Sequence, residues 1–258
     1  MLAADLFDLA GRTALVTGAS SGLGDRFARV LAKNGARVVC LARRQERLDQ
    51  LVDEIAADGG TACAVVADVT DSDAVARAFV AAEERFGPLD VIINNAGIAE
   101  TGRALDQSPE SWRRVLATNL DAVHLVAQLA AQRLVAAGRP GAIVNIASIL
   151  GFGVAKGLSA YAVAKAGVVQ LTRALALEFA AHEIRVNAIA PGYIVTQMNR
   201  DFLEGPKGAA LKQSIPLRRF GEAGDLDGVL LLLASPAGRF ITGATYVVDG
   251  GHMLTMAN

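Results

Sequence analysis

The sequence predicts an α/β domain of the doubly wound, Rossmann type, a parallel sheet of about seven strands with helices on both faces. Three observations predict it. Short runs of β-branched and aliphatic residues alternate with longer amphipathic stretches along the chain. The short runs are continuously apolar, as strands covered on both faces are. A glycine-rich turn joins the first such run to the first amphipathic stretch.

The elements follow in order. Residues 13–17 (TALVT) read as a buried strand, and 23–34 as a helix that Gly35 stops. The strand 37–41, the helix 45–57 and the strand 61–67 come next. A helix over 71–86 takes Asp71 or Ser72 as its cap. Residues 89–93 form the fourth strand, 109–137 a long helical region, and 142–147 (AIVNIA) the fifth strand. A helix over 159–181 leads into the strand 184–189. An irregular, helix-containing insertion at 198–213, a helix at 225–233 and a strand at 245–248 complete the order. Right-handed crossovers between these strands build the parallel sheet. No repeat, low-complexity tract or flexible linker divides the chain, so 1–258 is expected to be a single domain. The segment 197–214 follows a Pro-Gly turn and contains Gly205, Pro206 and Gly208, which makes it the candidate for a mobile lid.

Composition removes several function classes. With 25 basic and 26 acidic residues the net charge is −1, so nothing points to nucleic acid or an anionic membrane. The first eight residues do not resemble a signal peptide, and no uncharged apolar run reaches the ~20 residues of a membrane span. A cytoplasmic location is expected. Cys40 and Cys63 sit in apolar, strand-like runs and read as reduced core residues. His124, His182 and His252 lack metal-ligand spacing, so no metal is expected.

The glycine turn runs Thr17-Gly18-Ala19-Ser20-Ser21-Gly22-Leu23-Gly24. Glycine lets the backbone approach a ligand with no Cβ in the way. The helix that follows presents free N–H groups and the positive end of its dipole, which suits a pyrophosphate. A plain tight turn is the competing reading. Further on, Tyr161 and Lys165 lie four residues apart, on one face of a helix. Free tyrosine has a pKa near ~10, and a nearby ammonium is expected to lower it, making the pair a proton donor and acceptor. Ser148 closes the fifth strand, at the carboxyl edge where open α/β sheets bind ligands, and its hydroxyl is placed to bond a substrate oxygen.

These motifs together resemble the short-chain dehydrogenase/reductase family, in its typical subfamily of about this length. TGASSGLG resembles the family's TGxxxGxG turn, and Asn94-Asn95-Ala96-Gly97 its NNAG motif. Asn119 stands where the family keeps a helix asparagine. Ser148, Tyr161 and Lys165 match the Ser…Tyr-x-x-x-Lys active site, and Pro191-Gly192 the turn after the sixth strand. The four-residue spacing differs from the divergent enoyl-reductase branch, which resembles Tyr-x6-Lys.

The resemblance implies an NAD(P)-dependent oxidoreductase that moves a hydride between cofactor and an alcohol or ketone. It implies that Lys165 also bonds the nicotinamide ribose, and that Asn119 holds a water near Lys165 in a proton relay. Gly18, Ser20, Ser21, Gly22, Leu23 and Gly24 would cradle the pyrophosphate. Asp68 and Val69 would meet the adenine, although a capping role competes for Asp68. Asn95, Ala96 and Gly97 would line the adenosine, and Pro191, Gly192, Ile194 and Thr196 the nicotinamide. It also implies a homotetramer or dimer built from the long helices and the C-terminal strand around 244–251.

Cofactor choice rests on the end of the second strand. NAD-type sites place an acid there, about 20 residues past the turn. This chain has Ala42, followed at once by Arg43 and Arg44, whose fork-like donors suit a 2′-phosphate. NADP(H) is therefore favoured, with NAD(H) as the alternative and a solvated helix start as the competing role for both arginines. Ser21 departs from many NADP-preferring relatives, which carry a basic residue there.

The expected pocket wall runs over 149–158 and is joined by the lid. Leu150, Phe152, Met198 and Phe202 are its candidate substrate contacts beside Ser148 and Tyr161. Their apolar character points to a hydrophobic ketone or alcohol, and thus to a carbonyl reductase. A 3-oxoacyl-thioester (carrier protein or CoA) reductase is the alternative. The intact Ser148, Tyr161 and Lys165 weigh against a non-catalytic cofactor-binding regulator.

Overall fold

The computed structural model describes residues 3–197 and 199–255. Seven strands form one sheet: β1 (Thr13–Thr17), β2 (Arg37–Ala42), β3 (Thr61–Val66), β4 (Val91–Asn94), β5 (Gly141–Ile146), β6 (Ile184–Pro191) and β7 (Thr245–Val248). The order is β3-β2-β1-β4-β5-β6-β7, and every neighbouring pair is parallel. The order reverses between β1 and β4, which opens a crevice beyond their carboxyl ends, the place where such sheets bind ligands.

The helices are α1 (Ala3–Phe7), α2 (Gly22–Lys33), α3 (Gln45–Ala57), α4 (Ser72–Phe86), α5 (Pro109–Leu116), α6 (Ala122–Ala136), α7 (Ser159–Phe179), α8 (Arg200–Glu204), α9 (Pro206–Ser214) and α10 (Asp227–Ala234). Phe27 and Leu31 of α2, Leu48 of α3 and Leu230 of α10 pack on one face of the sheet. Phe79 of α4, Val126 and Leu134 of α6 and Leu175 of α7 pack on the other. β1, β4 and all but the first residue of β5 are buried throughout, as continuous apolar strands demand, while the edge strands β3 and β7 are only partly buried.

The elements fall close to the sequence reading, with three physical corrections. The helical region expected over 109–137 is interrupted by a π turn at Ala117–Asp121, between α5 and α6. The helix expected over 159–181 ends at Phe179 and tightens into a 3₁₀ turn, Ala180–His182, before Glu183 takes a left-handed conformation. The fourth strand starts at Val91 rather than 89. Asp90, just before it, uses its side chain: its carboxylate accepts from Thr13 N at 3.1 Å and from Arg139 Nη2 at 2.6 Å. Asp71 is the cap of α4, accepting from the N–H groups of Asp73 and Ala74.

Candidate active site

The glycine turn fits a pyrophosphate by what it lacks. Gly18 and Gly22 have positive φ, at 67° and 60°, where a side chain would be strained. A Cβ on Gly24 would lie 2.3 Å from the Gly18 carbonyl oxygen, so only glycine lets α2 start this close to β1. Ser21, the N-cap of α2, makes no side-chain cap bond, so the first N–H groups of the helix keep their donors free of a side-chain partner. Ser20 and Leu23 are partly buried in the same turn.

Thr17, which sequence reasoning passed over as a site residue, holds this turn to the next one. Its Oγ1 accepts from the backbone N–H groups of Asn95 and Ala96, each at 3.0 Å, and donates to Ile93 O at 3.3 Å. Asn95 Nδ2 donates back to Thr17 O at 2.9 Å. A Cβ on Gly18 would meet Ala96 Cα at 2.8 Å, so the two loops touch backbone to backbone. The signal that could have found it is the hydroxyl at the end of β1, opposite the end of β4.

The two arginines beyond β2 take different partners. Arg44 Nη2 donates to Ser20 Oγ at 2.9 Å and to Ser21 Oγ at 2.8 Å, so its guanidinium lies over the glycine turn. Arg43 reaches Asp68 across the end of β3, at 3.6 Å. Asp68 also accepts from the N–H and hydroxyl of Thr70, and these bonds with Arg43 hold its carboxyl below the usual value against the opposing effect of burial. Val69 is buried beside it.

Asn119 sits inside the π turn and is fully buried. The extra residue of a π turn re-aims a side chain, and such turns are frequent at functional sites. Asn119 Nδ2 donates to Ile98 O at 2.8 Å and Val115 O at 2.9 Å, and its Oδ1 accepts from Ile98 N at 3.1 Å. A Cβ on Gly97 would lie 2.6 Å from Asn119 Oδ1. Asn119 thus fastens the loop after the NNAG residues to the helix that precedes α6.

Ser148, Tyr161 and Lys165 gather at the carboxyl edge of β5. The Ser148 hydroxyl oxygen accepts from Leu150 N at 3.2 Å, which leaves its proton to donate toward Tyr161. Lys165 is 4 % exposed; its Nζ donates to Ile146 O at 2.7 Å and lies 5.6 Å from the centre of the Tyr161 ring. β4 stops at Asn94, paired with Asn145, so the Ile146 carbonyl lies beyond the last β4 pairing and accepts this ammonium. Burial lowers the Lys165 pKa to about 8. Burial also raises the Tyr161 phenol, and the Ser148 bond lowers it by less. The expected lowering by Lys165 does not set the direction, because desolvation of the buried phenol does. At neutral pH this leaves Tyr161 a proton donor.

The turn after β6 sits against the C-terminal segment. A Cβ on Gly192 would lie 2.6 Å from Asp249 Cβ, and Pro191 is buried as the last residue of β6. Ile194 is buried and bridges to Gly221. Thr196 N donates to Asn199 Oδ1 at 2.8 Å, and the methyl of Thr196 lies nearest to Gly22, so this segment reaches the glycine turn. Beyond it come the two short helices α8 and α9, in the helix-containing insertion that the sequence predicts. Among the candidate substrate contacts, Leu150 is buried, whereas Phe152 and Phe202 are exposed. Met198 lies outside the described residues.

Known proteins give a consistent picture. A family model described as enoyl-(acyl carrier protein) reductase matches residues 18–253. A galactitol 2-dehydrogenase (L-tagatose-forming) of Cereibacter sphaeroides is 40 % identical over 250 residues, 96 % of this chain and 97 % of that one. A 3-oxoacyl-[acyl-carrier-protein] reductase of Synechocystis is 38 % identical over 248 residues, 95 % of this chain and 98 % of that one. The crystal structure of a gluconate 5-dehydrogenase from Burkholderia cenocepacia, in complex with NADP and tartrate, superposes with a TM-score of 0.94 at 35 % identity, covering 98 % of this chain and 99 % of that one. Similarity of this extent over the whole sheet and both glycine-bearing loops leaves one assignment: the chain belongs to the short-chain dehydrogenase/reductase family of NAD(P)-dependent oxidoreductases.

Proposed function

We propose that this chain interconverts a secondary alcohol and its ketone with NADP(H), using Ser148, Tyr161 and Lys165 as its catalytic residues. The observation that carries the reading is the convergence at one strand end of a serine hydroxyl, a phenol held protonated and a buried ammonium. When bound, the nicotinamide supplies the hydride for reduction or accepts it in oxidation. Ser148 and Tyr161 hold the substrate oxygen between two donors. In reduction Tyr161 gives its proton to the oxygen as negative charge develops there, and Lys165 supports the phenolate left behind. Oxidation reverses each transfer. Asn119 orders the loop after Gly97 and is assigned to the proton relay.

The pyrophosphate is assigned to Gly18–Gly24 and the adenine side to Asp68, Val69 and Asn95–Gly97. The nicotinamide side falls to Pro191, Gly192, Ile194 and Thr196. NADP(H) is preferred over NAD(H) because Arg44 lies over the turn and no acid replaces Ala42. NADP is also what the Burkholderia gluconate 5-dehydrogenase holds. The segment 197–214 is the lid. The exposed apolar side chains of Phe152 and Phe202 support a hydrophobic substrate, and hence a carbonyl reductase. The similarity to a 3-oxoacyl carrier-protein reductase keeps a thioester substrate as the second reading. Val163 and Leu177 on α7 and Phe240 before β7 are exposed apolar residues that support a homotetramer or dimer, which light scattering tests. Cys40 and Cys63, both free thiols, suit a cytoplasmic location.

The experiment is a screen of apolar ketones, polyols and 3-oxoacyl thioesters with NADPH and NADH, repeated with Tyr161→Phe. A positioned acid or base contributes ~100-fold or more, so turnover by Tyr161→Phe within about tenfold of wild type would sink the assignment.

A further inference from the structure

A chain of buried polar side chains runs through the protein directly beneath the candidate site. Asn94 Nδ2 donates to Asn145 Oδ1 at 2.9 Å, and Asn145 Nδ2 donates to Thr172 Oγ1 at 3.0 Å. The Thr172 hydroxyl donates in turn to Val168 O at 2.8 Å. Asn145 and Thr172 are fully buried and Asn94 nearly so. A hydroxyl has one proton. Thr172 spends it on Val168, so it can only accept from Asn145. That fixes the Asn145 amide with its oxygen toward Asn94, and the direction of the whole chain is determined.

The three residues stand on the three elements that carry the site. Asn94 ends β4 and precedes Asn95, Ala96 and Gly97. Asn145 lies on β5, three residues before Ser148 and next to Ile146, the acceptor of Lys165. Thr172 lies on α7, seven residues or about two turns beyond Lys165, and thus on the same side of the helix. Most of the rest of the buried face of α7 is small, Ala160, Ala162, Ala164 and Ala176 with Val168 and Val169, and Leu175 is its one large aliphatic side chain. Small aliphatic contacts are non-directional and resist rotation or sliding of a helix weakly, whereas a hydrogen bond between buried groups is lost by a displacement of about 1 Å.

We propose that Asn145 and Thr172 are positioning residues, which set the rotation and depth of α7 so that Tyr161 and Lys165 meet Ser148. They touch neither cofactor nor substrate and act through α7 and β5. The inference rests on the proposed oxidoreductase reading and adds to it two residues outside the reacting set.

The test uses the full-length protein. Thr172→Val removes the hydroxyl and keeps the shape. Displacement of a reacting group by about 1 Å costs up to ~100-fold, so kcat of Thr172→Val is expected to fall about tenfold or more, with the KM for NADPH changed less than about twofold. The pH profile of kcat shifts as well, because the spacing of Lys165 from Tyr161 changes. Thr172→Ser keeps the hydroxyl and is expected to retain wild-type kcat and pH profile. A purely stabilising role would lower Tm and leave the pH profile in place. If Thr172→Val does not fold, Thr172→Ala carries the same comparison with Thr172→Ser. The proposal is overturned by a folded Thr172→Val or Thr172→Ala with wild-type kcat and pH profile. It is equally overturned by a Thr172→Ser as impaired as Thr172→Val, which would make the methyl group responsible. Tyr161→Phe, measured beside them, separates the failures. If it is inactive while Thr172→Val is normal, only this inference falls; if it is active, the reading of the site falls first.

Discussion

Lys165 donates its ammonium to the carbonyl of Ile146 at 2.7 Å, from a position that is almost wholly buried. The strand that leads to the serine therefore also holds the lysine, and the tyrosine between them rides on the same helix as the lysine.

That burial makes a stability prediction. The Lys165 pKa falls from the ordinary 10.5 to about 8. Between those values the unfolded chain binds the proton that the folded chain has released, so this group makes stability rise with pH across the window. Its contribution is complete above 10.5 and is lost as pH falls through about 8. Lys165→Met is expected to be inactive and to carry no such dependence. Thermal melts of both proteins from pH 7 to 10 should show wild type gaining on the variant as pH rises. A difference that stays constant counts against a buried ammonium.

The raised phenol of Tyr161 separates the two directions of reaction. Reduction needs the phenol and oxidation the phenolate, so ketone reduction should hold through neutral pH and decline in alkali, while alcohol oxidation climbs. Profiles of kcat/KM in both directions check this, and parallel profiles would contradict it.

Arg44 should set the cofactor preference. Losing charge-assisted hydrogen bonds costs about 1.5–3 kcal/mol, so Arg44→Ala should raise the KM for NADPH about tenfold or more, with NADH little affected. Equal effects on both cofactors would mean that Arg44 supports the turn through Ser20 and Ser21 rather than reading the phosphate.

Gly24→Ala tests the cradle. The new Cβ would stand 2.3 Å from the Gly18 carbonyl oxygen, a backbone atom that cannot step aside cheaply. Overpacking of this kind costs typically ~1–3 kcal/mol. The variant should melt lower and lose the rise in Tm that NADPH gives to wild type. An unchanged NADPH response would place the pyrophosphate elsewhere.

Asp90 gives the opposite contrast, with stability affected and chemistry spared. It lies at the amino edge of the sheet, away from the site, and pairs with Arg139 and Thr13 N. Asp90→Ala strands a buried N–H, which costs about 1–3 kcal/mol. Asp90→Asn keeps an acceptor for Thr13 and should lose less. Urea melts measure both, and kcat/KM should stay within about twofold of wild type, as ΔΔG values at well-separated sites add independently.

Local rules made much of this protein legible from its sequence. Continuous apolar strands give a parallel sheet, the glycine turn at a strand-helix junction gives a close approach of α2 to β1, and Tyr161 and Lys165 share a helix face because their spacing is one turn. These features depend on residues close together in the chain. What only the tertiary structure decided involves groups far apart in sequence. Thr17 with Asn95, Asn119 with Ile98, Arg44 with Ser20, and Asn94 with Asn145 and Thr172 are pairings that no local period encodes. The π turn at Asn119 belongs with them, since one extra residue in a helix leaves no periodic mark and is set by what the side chain must bond. So does the pKa of Tyr161. Its spacing from Lys165 suggests a lowered value, but desolvation is a property of the packed interior, and it pushes the phenol upward.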